Sequence, residues 1–566
     1  MQIINSRLIY SQKDEFHIAP VYSSKEYFLP ILVGVLVIII GSFPYIYGYY
    51  IAGNEKVFMG MVGRGTHASF GYIMFQRQAL EGKTFLRNQC TPEPLGSRYF
   101  NPEWWIMGRL ASWCNISLIQ LHHIDRILSV LLFVITVYYL LSVTLETFSQ
   151  RAFVFLLIVF GSGFGWVIWT FNYFFKTGYP ISWDIQGVQV FGYLINKPHF
   201  IRAFVFATLM YAWLIRGFQS SYLIYFLLSG FAGFVHIIIR PYYIPETFIL
   251  YLILPPIHFW VTKKTDKRIL LYSIIAIALH IPAFAYYAWF AIDDPLGMRG
   301  WSVKDHFLGK PGMLIEYVMG IGWTFLLCIF FIHYIVRQCK KRLTILMIFV
   351  WALVSWGVCN LYPYWKLGHE GGLNVFWVAM PILTIFGPWT WLKEFISKTE
   401  KLQILFSNKV LFVGGLLLIL LSTPSSIYVY ANMFTSLRNG HPLWTYYATK
   451  DLYDSFQWLN ENTEEDSVVL ATQRTSQLVF AWTHCKTVTG SFILTINFGQ
   501  KDAEVNRFYT ESDCESFSKN LLEKYRVKYV YYGPYEKELS KEIPPKILTE
   551  LKPIFKKGDT EIYKVE

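Results

Sequence analysis

Four groups of ionisable residues gather at the ends of long apolar runs in this chain. The polar stretch 51–118 carries His67, Glu93 and Glu103 among several arginines. Asp184, Lys197 and His199 lie between two further runs. The segment VHIIIRPYYIPE holds His236, Arg240, Tyr242 and Glu246, and Lys366, His369 and Glu370 precede Gly371-Gly372. A charge facing hydrocarbon at a helix centre costs about 2.5–3.5 kcal/mol, so such residues mark function by default. The cations suit phosphate: Arg offers a planar fork to phosphate oxygens, and Lys a point charge. A single Lys or Arg near a span more often snorkels to the headgroups, and His236 is equally read as a satisfied core histidine. Arg240 stands apart because Pro241 follows it. Irregular backbone at that depth is tolerated where it lines protein or a wet cavity. Arg240 is therefore expected to face a hydrated cavity bounded by the first loop and the Lys366 loop. Its anion there is expected to be a phosphate, Glu370 or Glu246.

The elements that must position these groups are membrane helices. The chain is 54% hydrophobic and only 16% charged, against about 25% charged in an ordinary soluble domain. Residues 1–27 are polar. Apolar runs near 28–48, 126–144, 152–174, 199–216, 221–238, 243–261, 269–291, 313–335, 343–361, 373–391 and 410–430 make about eleven spans, each close to the ~20 residues a bilayer needs. The break between 238 and 243 is the least secure of these boundaries. Basic clusters at 263–268, 337–342 and 393–409 all fall in the cytoplasm if the N-terminus is cytoplasmic. The 51–118 loop and residues 431–566 then lie outside. Residues 431–566 read as a small soluble α/β domain, with a helix at 451–461, strands at 467–471 and 527–532, and helices at 504–509 and 514–525. The net charge of +12 follows from the cytoplasmic loops. The soluble region has no basic patch with interleaved aromatics, which excludes nucleic acid as a partner. The seven cysteines show no CxxC, CxxH or HExxH spacing, so no motif requires a metal.

Several segments resemble one family. In the first loop, FMGMVGRGTHASFGYIMFQRQALEGKTFLRNQCTPEPLGSRYFNPEWWIMGRLA follows the layout of the GT-C superfamily of membrane glycosyltransferases, in particular bacterial members with a soluble C-terminal tail. Tyr72, Gln78, Gly82, Thr91, Pro92, Glu93 and Gly108 sit at matching places. GSGFGW, the Asn196-Lys197-Pro198-His199 stretch, VHIIIRPYYIP and the ending WLNENTEEDSVVL … YRVKYVYYGP are also similar. The motifs are loose, and their order carries the information.

The resemblance implies a GT-C-like membrane domain over 28–430 that moves a sugar from a polyprenyl-phosphate donor to an acceptor on the outer face of the cytoplasmic membrane. The family's usual base is an acid in the first loop. This chain has Thr66-His67 there, so the candidate bases are His67, whose unperturbed pKa near 6.5 suits proton transfer, and Glu93. The substrate-binding set is Tyr72, Gln78, Asp184, His199, His236, Arg240, Tyr242, Lys366 and Glu370. Arg240 and Lys366 would hold phosphate, and Asp184 would meet the sugar or a divalent metal. Tyr243 stands where relatives often carry an acid. Two missing acids keep an alternative open: a non-catalytic GT-C subunit that binds lipid or scaffolds a membrane complex with protein partners. A lipid-linked-sugar flippase or transporter is a second alternative, disfavoured because no internal repeat is visible.

Overall fold

The computed structural model describes residues 24–63, 66–96, 98–175, 190–263, 266–297, 320–360, 370–397, 408–440, 445–511 and 515–565. In the membrane part the helices are α1 (Phe28–Ala52), α2 (Thr66–Leu80), α3 (Pro102–Cys114), α4 (Leu118–Thr144), α5 (Phe148–Phe160), α6 (Gly165–Phe175), α7 (Val190–Asn196), α8 (Pro198–Ser220), α9 (Leu223–Ile239), α10 (Ile244–Thr262), α11 (Lys267–Ala278), α12 (Ile281–Asp293), α13 (Trp323–Phe330), α14 (Ile332–Cys339), α15 (Leu343–Asn360), α16 (Glu370–Phe386), α17 (Pro388–Ser397), α18 (Asn408–Ser422) and α19 (Pro424–Asn439). Among the described residues five helical stretches are long and apolar enough to cross a bilayer: those containing α1, α4, α8, α10 and α18–α19. The pair α11–α12, bent by 40°, makes a sixth, and shorter apolar helices add to these.

Several apolar runs break where a single span is expected, and the first of them shows how the freed backbone is satisfied. The run 152–174 divides at Gly161-Ser162-Gly163, where two glycines leave the backbone without helix-favouring side chains. Its freed groups are taken up by the chain around Thr423: Ser162 Oγ donates to the Ser422 carbonyl at 2.6 Å, Ser425 Oγ to the Gly163 carbonyl at 2.8 Å, and Trp166 N–H to Ser425 Oγ at 2.9 Å. Backbone at this depth must find such partners within the protein. The uncertain break at 238–243 is present: α9 ends at Ile239, Arg240 is extended, and Pro241 opens a 3-10 turn before α10.

Ion pairs and a hydrogen bond tie helix ends together on one face. Glu26 pairs with Arg151 at 2.7 Å, Arg337 with Glu394 at 2.9 Å and Arg342 with Glu146, while Ser221 bonds Asp266 at 2.8 Å. The first loop leaves the other end of α1, so it lies on the opposite face, here termed the loop face. There β1 (Lys56–Phe58) pairs antiparallel with β2 (Tyr447–Thr449), which brings the C-terminal region to the same face.

The C-terminal region adds α20 (Lys450–Asn462), β3 (Val468–Leu470), α21 (Gln473–Trp482), β4 (Lys486–Thr487), α22 (Phe498–Thr510), α23 (Glu515–Lys524), β5 (Val527–Tyr532), α24 (Pro534–Ser540), β6 (Lys552–Lys557) and β7 (Thr560–Lys564). Four of the five helices and strands expected from the sequence appear within a residue or two, while the helix expected at 504–509 runs over Phe498–Thr510. The sheet order is β4-β3-β5-β7-β6, with β4, β3 and β5 parallel and β7 antiparallel to both neighbours. Alternation along β3 gives each face its own core. Val468 and Leu470 pack with Phe508, Tyr509 and Leu521 of the domain's own helices. Val469 and Ala471 share a core with Phe456 and Leu478, and also with Phe70, Met74 and Cys90 of the first loop. The first loop and the sheet domain thus bury one continuous apolar surface.

Candidate functional site

The site forms on the loop face where α2, α3, α4 and α8 begin or approach one another. Asn101 caps α3, its side chain accepting the backbone N–H groups of Glu103 and Trp104 at 3.0 and 3.2 Å, which sets those two residues in the first turn. Gly108 lets α3 lie against α2; a Cβ there would overlap the Gln76 carbonyl and Ala79. Pro198 begins α8, a position where its missing N–H is harmless. His199 and Arg202, three apart, then share a helix face.

Arg202 is the hub. Its Nη2 donates to Glu103 Oε1 on α3, and its Nη1 to Asp125 Oδ1 on α4. One guanidinium so joins three helices. Glu103 is buried, and that burial pushes its carboxyl above the ordinary range despite the opposing pull of Arg202. Its second oxygen has no hydrogen-bond partner among the described residues.

Further cations surround this triad. Lys197 Nζ donates to Ser69 Oγ at 3.3 Å, which ties the cluster to the start of α2. Tyr72, on the same helix, stacks on Trp104 with centroids 4.6 Å apart and meets His199 edge-on at 4.4 Å. Arg240 is buried, with its guanidinium 3.7 Å from the Phe200 ring centre, and it acts electrostatically on both Glu103 and His199. His122 of α4 feels Arg126, Lys197 and Arg202 together. Among the described residues Arg202 and Arg240 thus act on Glu103, and Lys197 joins them in acting on His199. Such a group of cations suits an anion, and the guanidinium groups suit phosphate oxygens.

Of the residues singled out in the sequence, Tyr72, Glu103, Lys197, His199 and Arg240 come together here. His67 lies in the first turn of α2, two residues before Ser69; its side chain is not described, nor are those of Tyr242 and Glu370. Asp184 and Lys366 lie outside the described residues. Gln78 works elsewhere, exchanging hydrogen bonds with the Arg87 backbone at 2.9 and 2.8 Å to fold the loop back on α2. Glu93 points to the sheet domain, where both oxygens accept from Lys501 Nζ at 2.6 and 2.7 Å and one also from the Thr91 hydroxyl. Burial alone would raise its pKa; the bonds from Lys501 and Thr91 override that and hold it below the ordinary range. A carboxylate so held is a weak base. His236 bonds the Ala203 carbonyl through Nδ1 at 2.8 Å and lies 4.2 Å from the Tyr243 ring, joining α8 to α9. Of the anions offered for Arg240, Glu246 is not its partner. Glu246, in the first turn of α10, accepts from Trp351 Nε1 at 2.8 Å.

Sequence reasoning passed over Arg202 and Asp125. A signal was present: an arginine inside an apolar run, one turn after His199, must find a partner, and Asp125 is an acid at the mouth of the neighbouring span. Among the described residues no three His, Cys, Asp or Glu side chains gather as a metal site needs.

Solved structures share this architecture. The oligosaccharyltransferase AglB from Archaeoglobus fulgidus, in complex with an inhibitory peptide and a dolichol-phosphate, matches with TM-score 0.51 and 12% identity over 90% of this chain and 70% of that one. The Archaeoglobus fulgidus oligosaccharyltransferase tethered to an acceptor peptide containing the NVT sequon matches with TM-score 0.51 and 13% identity, over 90% and 69% of the two chains. ArnT from Cupriavidus metallidurans, bound to undecaprenyl phosphate, matches over 96% of this chain and 98% of that one at 11% identity, with TM-score 0.48. No family model and no curated protein matches the chain. Identities this low speak for fold and not for activity; on the two oligosaccharyltransferase matches, this chain shares the fold of the Archaeoglobus fulgidus oligosaccharyltransferase.

Proposed function

We propose that the chain transfers a sugar from a polyprenyl-phosphate donor to an acceptor at the loop face, taken as the outer face of the cytoplasmic membrane with the N-terminus inside. The observation that carries this reading is the convergence of Lys197, Arg202 and Arg240 on His199, beside the Tyr72–Trp104 stack. In the reaction a base takes the proton of the acceptor's nucleophilic atom. That atom attacks the anomeric carbon, the carbon–oxygen bond to phosphate breaks, and the lipid phosphate leaves with the electron pair. The cations serve by stabilising the negative charge that grows on the departing phosphate. His67 is the base of this proposal, because α2 brings its first turn to Lys197 through Ser69 and because Glu93 is committed to Lys501. Asp184, Tyr242, Lys366 and Glu370 complete the proposed donor contacts. The gathering of basic helix ends on the opposite face supports the orientation.

The experiment is glycosyl transfer by membranes containing the full chain, with labelled polyprenyl-phosphate sugars, compared with His67→Ala and Arg240→Ala. Turnover lost in both variants is expected. Donor binding without turnover in the unaltered chain would favour the non-catalytic lipid-binding subunit instead.

A further inference from the structure

Arg126 is a buried cation that the proposed donor site does not use fully. It lies on α4 against α1, its Nη2 donating to Ser42 Oγ at 3.0 Å and its guanidinium 4.7 Å from the Tyr45 ring centre. It is 3% exposed, and its Nε and Nη1 have no hydrogen-bond partner among the described residues. The acid beside it, Asp125, is taken by Arg202. Two unmade hydrogen bonds on a buried guanidinium are costly. The neighbouring histidines repeat the pattern: the Nε2 atoms of His122 and His123 are also buried without partners. His123 is held by the Tyr45 ring at 4.8 Å, and Tyr45 is anchored through its hydroxyl to the Ile195 carbonyl at 3.0 Å. Gly41 completes the enclosure. A Cβ at that position would stand 3.3 Å from Arg126 Nη1 and 3.2 Å from Ile195, so the glycine lets α1 approach the guanidinium closely.

Depth identifies what belongs there. Residues 127–144 of α4 form an 18-residue run that ends the helix and rises about 27 Å, close to the ~30 Å of a hydrocarbon core. Arg126 therefore stands at the headgroup boundary. The last turns of α1 agree, since Tyr45, Tyr47, Tyr49 and Tyr50 cluster there as interfacial tyrosines do. The anions of that layer are lipid phosphates.

We propose that Arg126, His122 and His123, with Ser42, form a lipid-phosphate site between α1 and α4, on the α1 side of the Arg202–Arg240 cluster. Arg126 offers Nε–H and Nη1–H, on two edges of its guanidinium, as separate donors to phosphate oxygens, and the two imidazoles donate from Nε2. The phosphate comes from an isoprenoid phosphate or from a glycerophospholipid; both carry the group the site recognises. The site does not depend on sugar transfer, so a chain that holds the lipid and transfers nothing fails only the functional reading above.

Native mass spectrometry of the full chain in detergent, titrated with undecaprenyl phosphate or with phosphatidylglycerol, tests it. Arg126→Gln is expected to weaken retention of the preferred lipid at least tenfold, and Arg126→Lys to weaken it less because the charge survives without the fixed planar donors. If Arg126→Gln does not fold, Gly41→Ala keeps the test: it adds a methyl against the guanidinium and should lower retention with charge unchanged. Preference for undecaprenyl phosphate assigns the isoprenoid source, and equal retention assigns phosphate in general. Retention unchanged in a folded Arg126→Gln, or in both Gly41→Ala and Arg126→Lys, overturns the site. So does an unaltered chain that retains neither lipid.

Discussion

Arg151 apart, which is buried against Glu26 on the face opposite the loop, the cations compared at the two ends of the membrane domain stand in opposite physical states. On the loop face Arg126, Lys197 and Arg240 are buried, and Arg202 is locked between Glu103 and Asp125. On the other face the side chains of Arg268, Arg337 and Arg342 are 68%, 50% and 40% exposed. Exposed cations next to spans are held by water and headgroups and bias which side of the membrane a loop takes. Buried ones have lost water and must be compensated by carboxylates, aromatic faces or a bound anion. The comparison separates two uses of one charge, and burial is the criterion that distinguishes them.

The largest effect that would break this comparison is at the hub. Arg202→Ala should destabilise the protein by about 3–5 kcal/mol, because Glu103 and Asp125 would be left buried without their partner. Thermal unfolding in detergent measures it, and a loss within the range of surface mutants would show that the triad is solvated. Next comes Arg240. Its replacement by Ala should cost at least tenfold in binding of a polyprenyl phosphate, about 1.4 kcal/mol, while Arg240→Lys should keep part of it. Equal affinity in all three proteins would return Arg240 to a packing role over Phe200.

A third test concerns the contact between first loop and sheet domain. Glu93 is held below the unfolded value of about 4.3 by Lys501 and Thr91, against the effect of its own burial. Its stabilising contribution is then full above that value and disappears as pH falls through the lowered folded value. Hydrogen exchange of the loop backbone should rise in that acid window, and Lys501→Met should remove the pH dependence. The smallest effect is expected on the face opposite the loop. Arg342→Ala breaks an exposed pair with Glu146 and should change stability by only about 0–1 kcal/mol, with lipid binding unaltered.

The same contrast explains what was legible in advance. Arg240 announced itself because a charge and a proline interrupt IIIRPYYIP, and the structure buries that charge near Glu103. Glu93 and His67 were matched by place in a loop, but a loop's direction is set by what it packs against. The Lys501 that turns Glu93 away lies about four hundred residues later in the chain. Arg202 was hidden because α8 otherwise reads as an ordinary apolar span. Its importance depends on two acids from two other helices, and no local pattern reports such a meeting.

Hydrophobic run length and period determined, from sequence alone, that the chain is a bundle of membrane helices with a small α/β domain after it. They did so because burial in lipid or in a core imposes 3.6- and 2-residue repeats on any chain that must satisfy its backbone. Tertiary structure decided the rest: that the first loop and the sheet domain share one core, that Gly161–Gly163 divides a span, and that Arg202 gathers Glu103 and Asp125 into one cluster. Those outcomes rest on contacts between residues far apart in the chain, whose strength depends on distance and burial and so exists only once the helices have packed.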